Sequence, residues 1–194
     1  MNQHTYQRRP VNSSAIPDVI FILIIANGLG YAAQFWQPNL MFGYLALWPL
    51  DSEYPSFMPW QLLTYGFMHD INGIYHILFN MFGLWMFGRD LERIMGPKRF
   101  LTYYLTCVVG AGIVQLIVAK LTGGIYPTIG ASGGVFGILL AYGMAFPNRM
   151  VVLLFPPIPM KAKYFVLFYG LLELYLGVSG RAQGVANFAH LRGM

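Results

Sequence analysis

The fold class predicted by the sequence is an all-α polytopic membrane protein, and three observations predict it. The 194 residues are 57% hydrophobic and only 10% charged, with mean hydropathy +0.54, whereas a soluble domain carries roughly 25% charged residues. The apolar residues gather into several runs long enough to span a bilayer, which takes about 20 residues. The basic residues flank these runs and form no stripe of their own, as membrane topology demands and nucleic-acid binding does not. The net charge of +5 is therefore no sign of a nucleic-acid partner. Cys107, the single cysteine, cannot form an internal disulfide, and no Cys/His cluster suits a metal. No cofactor is expected.

In order along the chain, residues 1–15 read as a polar cytoplasmic tail and 16–194 as one membrane domain. Arg8 and Arg9 precede the first apolar run, which has no small-residue cleavage site behind it, so no cleavable signal peptide is expected. The first span is predicted from Pro17 to Ala33, with proline tolerated in the first turn because its missing donor would be unpaired there. Residues 34–73 are too long for a simple connection. They are rich in Trp, Tyr, Phe, Pro and Met and lack Lys and Arg, which suits a segment lying among headgroups.

The second span is predicted from Ile74 to Met86, extending towards Ile94, and Gly96-Pro97 breaks it. The third covers Phe100 to Leu121, and the fourth Ser132 to Phe146. The Pro156-Pro157-Ile158-Pro159 run makes the next connection, with Val151 to Phe155 apolar enough to dip into the interface. The fifth span covers Ala162 to Val178. A sixth helix begins near Val185, and its roughly ten residues to Met194 rise only ~15 Å of a ~30 Å core. That span is expected to be cut short.

Arg8, Arg9, Arg89, Arg93, Lys98, Arg99, Arg149, Lys161 and Lys163 fall on one side of this threading, against Lys120 and Arg181 on the other. The positive-inside rule then puts the N-terminus in the cytoplasm and the 34–73 segment outside. On that topology the second, fourth and sixth helices all descend from outside to inside. His76 and Asn80 stand one turn apart near the outer end of the second, Ser132 opens the fourth, and His190 lies about one turn into the sixth. Polar groups in a bilayer are costly unless partnered, so these four should face one another or a water-filled cavity.

The chemistry that such a set suits is acyl transfer. A serine becomes a nucleophile when a base takes its proton, and His190 stands at the matching depth. A developing oxyanion needs donors, which the His76 ring, the Asn80 amide and the Ser132 N–H can supply. Gly130 and Gly133 let backbone approach substrate closely, and a helix start favours negative charge. Interhelical hydrogen bonding that only holds the bundle together is the alternative for any one of these residues, less so for all four.

Gly130-Ala131-Ser132-Gly133, preceded by His76-Ile77-Leu78-Phe79-Asn80 and followed by Ala189-His190-Leu191-Arg192-Gly193, resembles the rhomboid intramembrane serine proteases. The combination of HxxxN, GxSG and AHxxG is far more specific than any one member. The resemblance covers residues from about 17 to the last. It implies a six-helix bundle, here with the sixth helix truncated, and a Ser–His dyad in a water-filled cavity without a third acid. It makes Ser132 the nucleophile, His190 the general base, and His76 and Asn80 the oxyanion contributors. It sets Phe136 where an aromatic ring often packs on the catalytic histidine, while ordinary core packing remains open for that ring. The implied substrates are single-span membrane proteins cut near the outer part of their helix. The fifth helix is implied to act as a lateral gate, and the 34–73 segment as a membrane-embedded loop.

Two residues depart from the family pattern. Trp60 is followed by Gln61 where the family often has Trp-Arg, so a structural contact of the first loop is expected to be missing. Arg192 stands where a small residue usually permits close packing, and a long cation there is costly unless it snorkels or pairs. Together with the short sixth helix, this leaves open a second reading, a rhomboid-like protein that binds transmembrane clients without cutting them. Gly133, Gly137 and Ala141 read as a small-residue packing face. Glu173 reads as tuning the gate or meeting water in the cavity, or equally as a paired or lipid-edge residue, and His69 as a structural hydrogen-bonding residue. Arg89, Asp90, Glu92 and Arg93 read as a cytoplasmic capping and topology cluster. The expected location is a bacterial inner or plasma membrane, with the site opening to the outer side.

Overall fold

The computed structural model describes the backbone of residues 18–152 and 157–178, and the side chains of 19–152 and 157–171. In chain order the elements are α1 (Asp18–Trp36), α2 (Pro38–Leu45), α3 (Gln61–Thr64) continuing into a 3-10 turn (Tyr65–Phe67), α4 (Ile74–Met95), α5 (Pro97–Thr122), α6 (Ser132–Ala145), β1 (Met150–Val152), β2 (Pro159–Lys161) and α7 (Ala162–Val178). Helix dominates, and the predicted sixth span, with His190 and Arg192, lies outside the described residues.

α1 and α5 are long and apolar enough to cross a membrane; α6 and the Ala162–Leu171 part of α7 are shorter apolar helices. α5 turns Ile113, Val114, Ile117, Val118 and Leu121 outward, an apolar exterior suited to lipid. Its other face buries Phe100, Tyr104, Val108 and Leu116.

α6 is the central element, packed chiefly on α4 and α5 and also on α7. Small residues let it approach all three. A Cβ on Gly133 would stand 2.5 Å from that of Ala111, one on Gly137 would run into the sulfur of Cys107, and one on Gly134 would meet the Tyr104 ring. Towards α4 the glycine is the partner's: a Cβ on Gly83 would lie 3.0 Å from Val135 Cγ1. Towards α7, one on Gly143 would lie 2.9 Å from Val166 Cγ2. Close backbone approach supplies the dispersion contacts that hold helices together where lipid leaves little hydrophobic drive.

Two sequence expectations are corrected and a third is filled in. α1 runs on to Trp36, past Ala33, because Gln34, which would be costly in an apolar helix end, is buried and partnered. The 34–73 segment, read as too long for a simple connection, holds α2, α3 and the 3-10 turn after the end of α1. The connection after α6 holds two short strands. β1 and β2 pair antiparallel, with Met150 opposite Lys161 and Val152 opposite Pro159, so the fold is not purely helical.

The charged cluster near the end of α4 works across the bundle. The Glu92 carboxylate, 4% exposed, accepts the backbone N–H groups of Val19 (3.1 Å) and Ile20 (3.2 Å), capping α1 from another helix. Those N–H groups have no partner within their own helix, and a carboxylate suits the positive end of the dipole. Asp90 holds Arg149 at 2.8 Å and Arg93 at 3.7 Å, tying α4 to the start of the hairpin.

Candidate active site

Ser132 is the first residue of α6, so the N–H groups of Ser132, Gly133 and Gly134 are the free donors of a helix start. Neither they nor the Ser132 hydroxyl has a hydrogen-bond partner among the described residues, and the serine is half-buried. The chain reaches it through Gly130, whose φ of +124° is left-handed backbone that side-chain-bearing residues rarely adopt. That approach is pinned from two sides. Leu47 and Thr128 form a two-bond antiparallel bridge (3.0 and 2.9 Å), and Gly130 N–H donates to the Tyr65 carbonyl at 3.0 Å. Tyr65 in turn donates its hydroxyl to the Val108 carbonyl on α5 at 2.7 Å.

His76 and Ser132 both stand close to Gly130. A Cβ added to Gly130 would stand 2.9 Å from His76 Nε2, 3.0 Å from His76 Cε1 and 3.8 Å from Ser132 Oγ. Only glycine lets the imidazole lie so close to the backbone. The ring's protonation pattern follows from its other nitrogen, since Asp70 N–H donates to Nδ1 at 3.3 Å. In the neutral ring the proton therefore sits on Nε2, the atom beside Gly130, which makes that nitrogen a hydrogen-bond donor.

Asn80, 7% exposed, lies one turn along α4 and donates its amide to the His76 carbonyl at 2.8 Å. An amide nitrogen carries two hydrogens, so one remains. Gly133 packs on Ala111, with Tyr65 Oη 3.4 Å from where its Cβ would be. Phe136 is half-buried against the core. Ser132, His76, Asn80, Gly130 and Gly133 thus gather at one end of α4 and α6; His190 lies outside the described residues, as does the side chain of Glu173.

Three residues that frame this set were not singled out for it from sequence. His69 is fully buried and neither ring nitrogen has a partner among the described residues. Its ring meets that of His76 edge-on, with centroids 5.1 Å apart. Burial, and then repulsion from His76, depress its pKa to about 4, so it is neutral at pH 7. Gln34 clasps its backbone, donating to the His69 carbonyl (2.7 Å) and accepting the His69 N–H (2.9 Å). Tyr65 is the third. A buried glutamine at the end of an apolar run was the one signal available, since such a group must find a partner.

Gln61 answers the expected gap beside Trp60. It is fully buried, accepts the N–H groups of Trp48 and Met58 (each 3.2 Å) and donates to the Ser56 carbonyl at 3.3 Å. A neutral amide thereby organises the first loop.

A family profile described as Rhomboid domain matches residues 56–194. Among known proteins, the chain is 38% identical over 96 residues to Rhomboid protease GluP of Bacillus subtilis, a stretch that is 48% of this chain and 17% of that one. It is 31% identical over 87 residues to Rhomboid protein 1, mitochondrial, of Saccharomyces cerevisiae (44% and 25%). With human Presenilin-associated rhomboid-like protein, mitochondrial, it shares 30% identity over 84 residues (43% and 22%). The chain thus aligns with a quarter or less of the length of each of these three relatives.

Proposed function

Because this chain belongs to the rhomboid family, whose members include a protein named as a protease, we propose that it is an intramembrane serine endopeptidase. Its substrates are single-span membrane proteins, cut in or near the transmembrane segment. The enzyme is a six-helix membrane domain of residues 16–194 behind a cytoplasmic tail of 1–15, with the site opening to the outer side. The observation that carries the reading is the closeness of both His76 Nε2 and Ser132 Oγ to Gly130 at the start of α6.

In this mechanism Ser132 Oγ attacks the scissile carbonyl carbon as its proton passes to His190. The carbonyl oxygen becomes an oxyanion, which accepts hydrogen bonds from His76 Nε2–H, the remaining Asn80 N–H and the Ser132 backbone N–H. Collapse breaks the C–N bond, and the departing amine takes the proton from His190. A water then attacks the acyl-serine ester, passing its proton to His190, and releases the new carboxyl terminus while the serine regains its hydrogen. Neutral His76 is the right form for this task, because its Nε2 carries the proton that can be donated while Nδ1 is occupied by Asp70 N–H.

The test is a fluorophosphonate probe on the detergent-solubilised full chain, run beside cleavage of a single-span substrate in liposomes. Labelling and product are both expected, and both are expected to vanish in Ser132→Ala. A product that persists in that variant refutes the assignment. A folded protein that captures the substrate equally well with and without Ser132, and never cuts it, is a binding protein instead.

A further inference from the structure

The α6–α7 hairpin carries a surface that the proposed reaction does not use. Its register puts Met150 beside Lys161 and Val152 beside Pro159 on one face, and Val151 beside Met160 on the other. Val151 is buried, so the second face packs inward. The first is open: Met150 is 57% exposed and Val152 54%, with Lys161 exposed between the strands' ends and Lys163 exposed just beyond. Two apolar side chains held outward next to two cations form an amphipathic surface with no cover among the described residues.

The depth of this hairpin is set by α4 and α6. α6 has 14 residues and rises about 21 Å, short of a ~30 Å hydrocarbon core. Arg149, which leads into β1, is held by Asp90 at 2.8 Å. Asp90 stands about five residues, or ~7 Å, before the end of α4 at Met95. The hairpin therefore begins above the tip of α4, level with its last turns, rather than hanging beyond the bundle.

The charge on this surface is unopposed among the described residues. The sequence has no Asp or Glu between Glu92 and Glu173. Asp90 is engaged by Arg149 and Arg93, and Glu92 by the start of α1. Lys161 and Lys163 make no ion pair among the described residues; Lys163 Nζ lies 5.1 Å from the Tyr164 ring centroid. Lys98 and Arg99 open α5 at the same end, both exposed.

We propose that the α6–α7 hairpin is a docking surface for anionic phospholipid at the basic end of the bundle. Met150 and Val152 enter the boundary between headgroups and acyl chains, and Lys161 and Lys163 take the headgroup phosphates. Apolar insertion beside a cation attracted to an anionic surface is the pairing that holds amphipathic elements in an interface. Lysines suit it because their stems can lie along the apolar layer while the ammonium reaches the phosphate.

Two measurements on the full chain in liposomes test this. The first compares association of spin-labelled phosphatidylglycerol with that of spin-labelled phosphatidylcholine. The preference for the anionic lipid is expected to fall about fivefold for each hairpin lysine removed, in Lys161→Gln and Lys163→Gln singly and together. A fall below twofold in the double variant overturns the proposal. So does an equal fall in Lys98→Gln/Arg99→Gln, which would assign the preference to the basic end as a whole. The second places a nitroxide at Val152→Cys in a Cys107→Ala background. It is expected to be relaxed by oxygen in preference to a water-soluble nickel chelate. Relaxation by the chelate as strong as at an exposed aqueous position overturns insertion, including in a protein that binds the lipid only through its charge.

Discussion

Gly130→Ala is the sharpest perturbation of the proposed site, because the structure fixes what one added methyl would meet. Ordinary carbon contacts are most favourable at about 3.5–4.0 Å, and this methyl would lie 2.9 and 3.0 Å from two atoms of the His76 ring. The ring has little room to retreat. The buried His69 ring packs on it edge-on, centroid to centroid at 5.1 Å, and Asp70 N–H holds its Nδ1. Relief requires a shift of roughly half to one ångström, and misplacement by about 1 Å costs on the order of a hundredfold in rate, or about 2.7 kcal/mol. Separately, an L-residue at φ +124° costs about 1–3 kcal/mol of folding stability. Gly110→Ala is the matched control, since a methyl there meets nothing within 4 Å and sits at an ordinary helical φ. The assay is the second-order rate of fluorophosphonate labelling of folded protein, together with kcat/KM on a single-span substrate. Gly130→Ala is expected to lose about two decades in both, and Gly110→Ala none. A Gly130→Ala protein that folds and labels within threefold of the parent would refute the placement of His76 against this backbone.

Further predictions concern the frame around the site. Folding stability is expected to fall as pH drops from about 6.5 towards 4: His69 has a folded pKa of about 4 against about 6.5 unfolded, so the unfolded chain takes up the proton first. The stabilisation is fully present above the unfolded value and lost as pH falls through the folded one, at most about 3 kcal/mol, and the slope that His69→Leu removes from a denaturant titration measures it. Glu92→Gln should cost about 1–2 kcal/mol in unfolding by detergent, because an amide offers one acceptor where two backbone donors now meet a carboxylate. Gly137→Val is expected to destabilise by about 1–3 kcal/mol through collision with Cys107, readable as a lower midpoint of thermal unfolding.

How much of this was legible in the sequence varies with the reach of the interaction involved. Helices whose ends are marked locally were read closely. α7 has the predicted bounds, Ala162–Val178, and α6 begins at Ser132 and ends one residue before the expected Phe146. The predicted start of the third span at Phe100 missed one turn, because Pro97 is accommodated at the first helical positions, where it needs no donor. The closeness of His76 to the start of α6 agrees with an expectation that needed only span order. The framing of the site needed more than that. The Gln34–His69 clasp joins residues 35 apart, and the Tyr65–Val108 bond residues 43 apart. No periodicity encodes such pairs, and ending the first span at Ala33 left Gln34 outside the helix that delivers it. The hairpin was missed for another reason: Pro156, Pro157 and Pro159 argue against a strand interior, yet Pro159 is tolerated at a strand's first position.

Depth and precision at Ser132 come from different parts of the chain. The helices supply depth, since α4 and α6 pack closely and Gly133, Gly134 and Gly137 let α6 settle on α5. Glycine contacts of that kind tolerate sliding, because they offer no side chain to set a register. What fixes the serine along the helix direction is the stretch from the end of α1 to the start of α4. It grips the approach to α6 through Leu47 and Tyr65, holds α1 through Gln34 and His69, and positions His76 through Asp70 N–H. The 34–73 segment is thus less a connection than the jig in which Ser132 and His76 are aligned. It follows that Gln34→Leu, which touches neither Ser132 nor His76 and leaves α1 more apolar, should slow labelling by releasing the His69 backbone while the helices stay packed. Unchanged labelling with lowered stability would instead make the clasp a matter of folding alone.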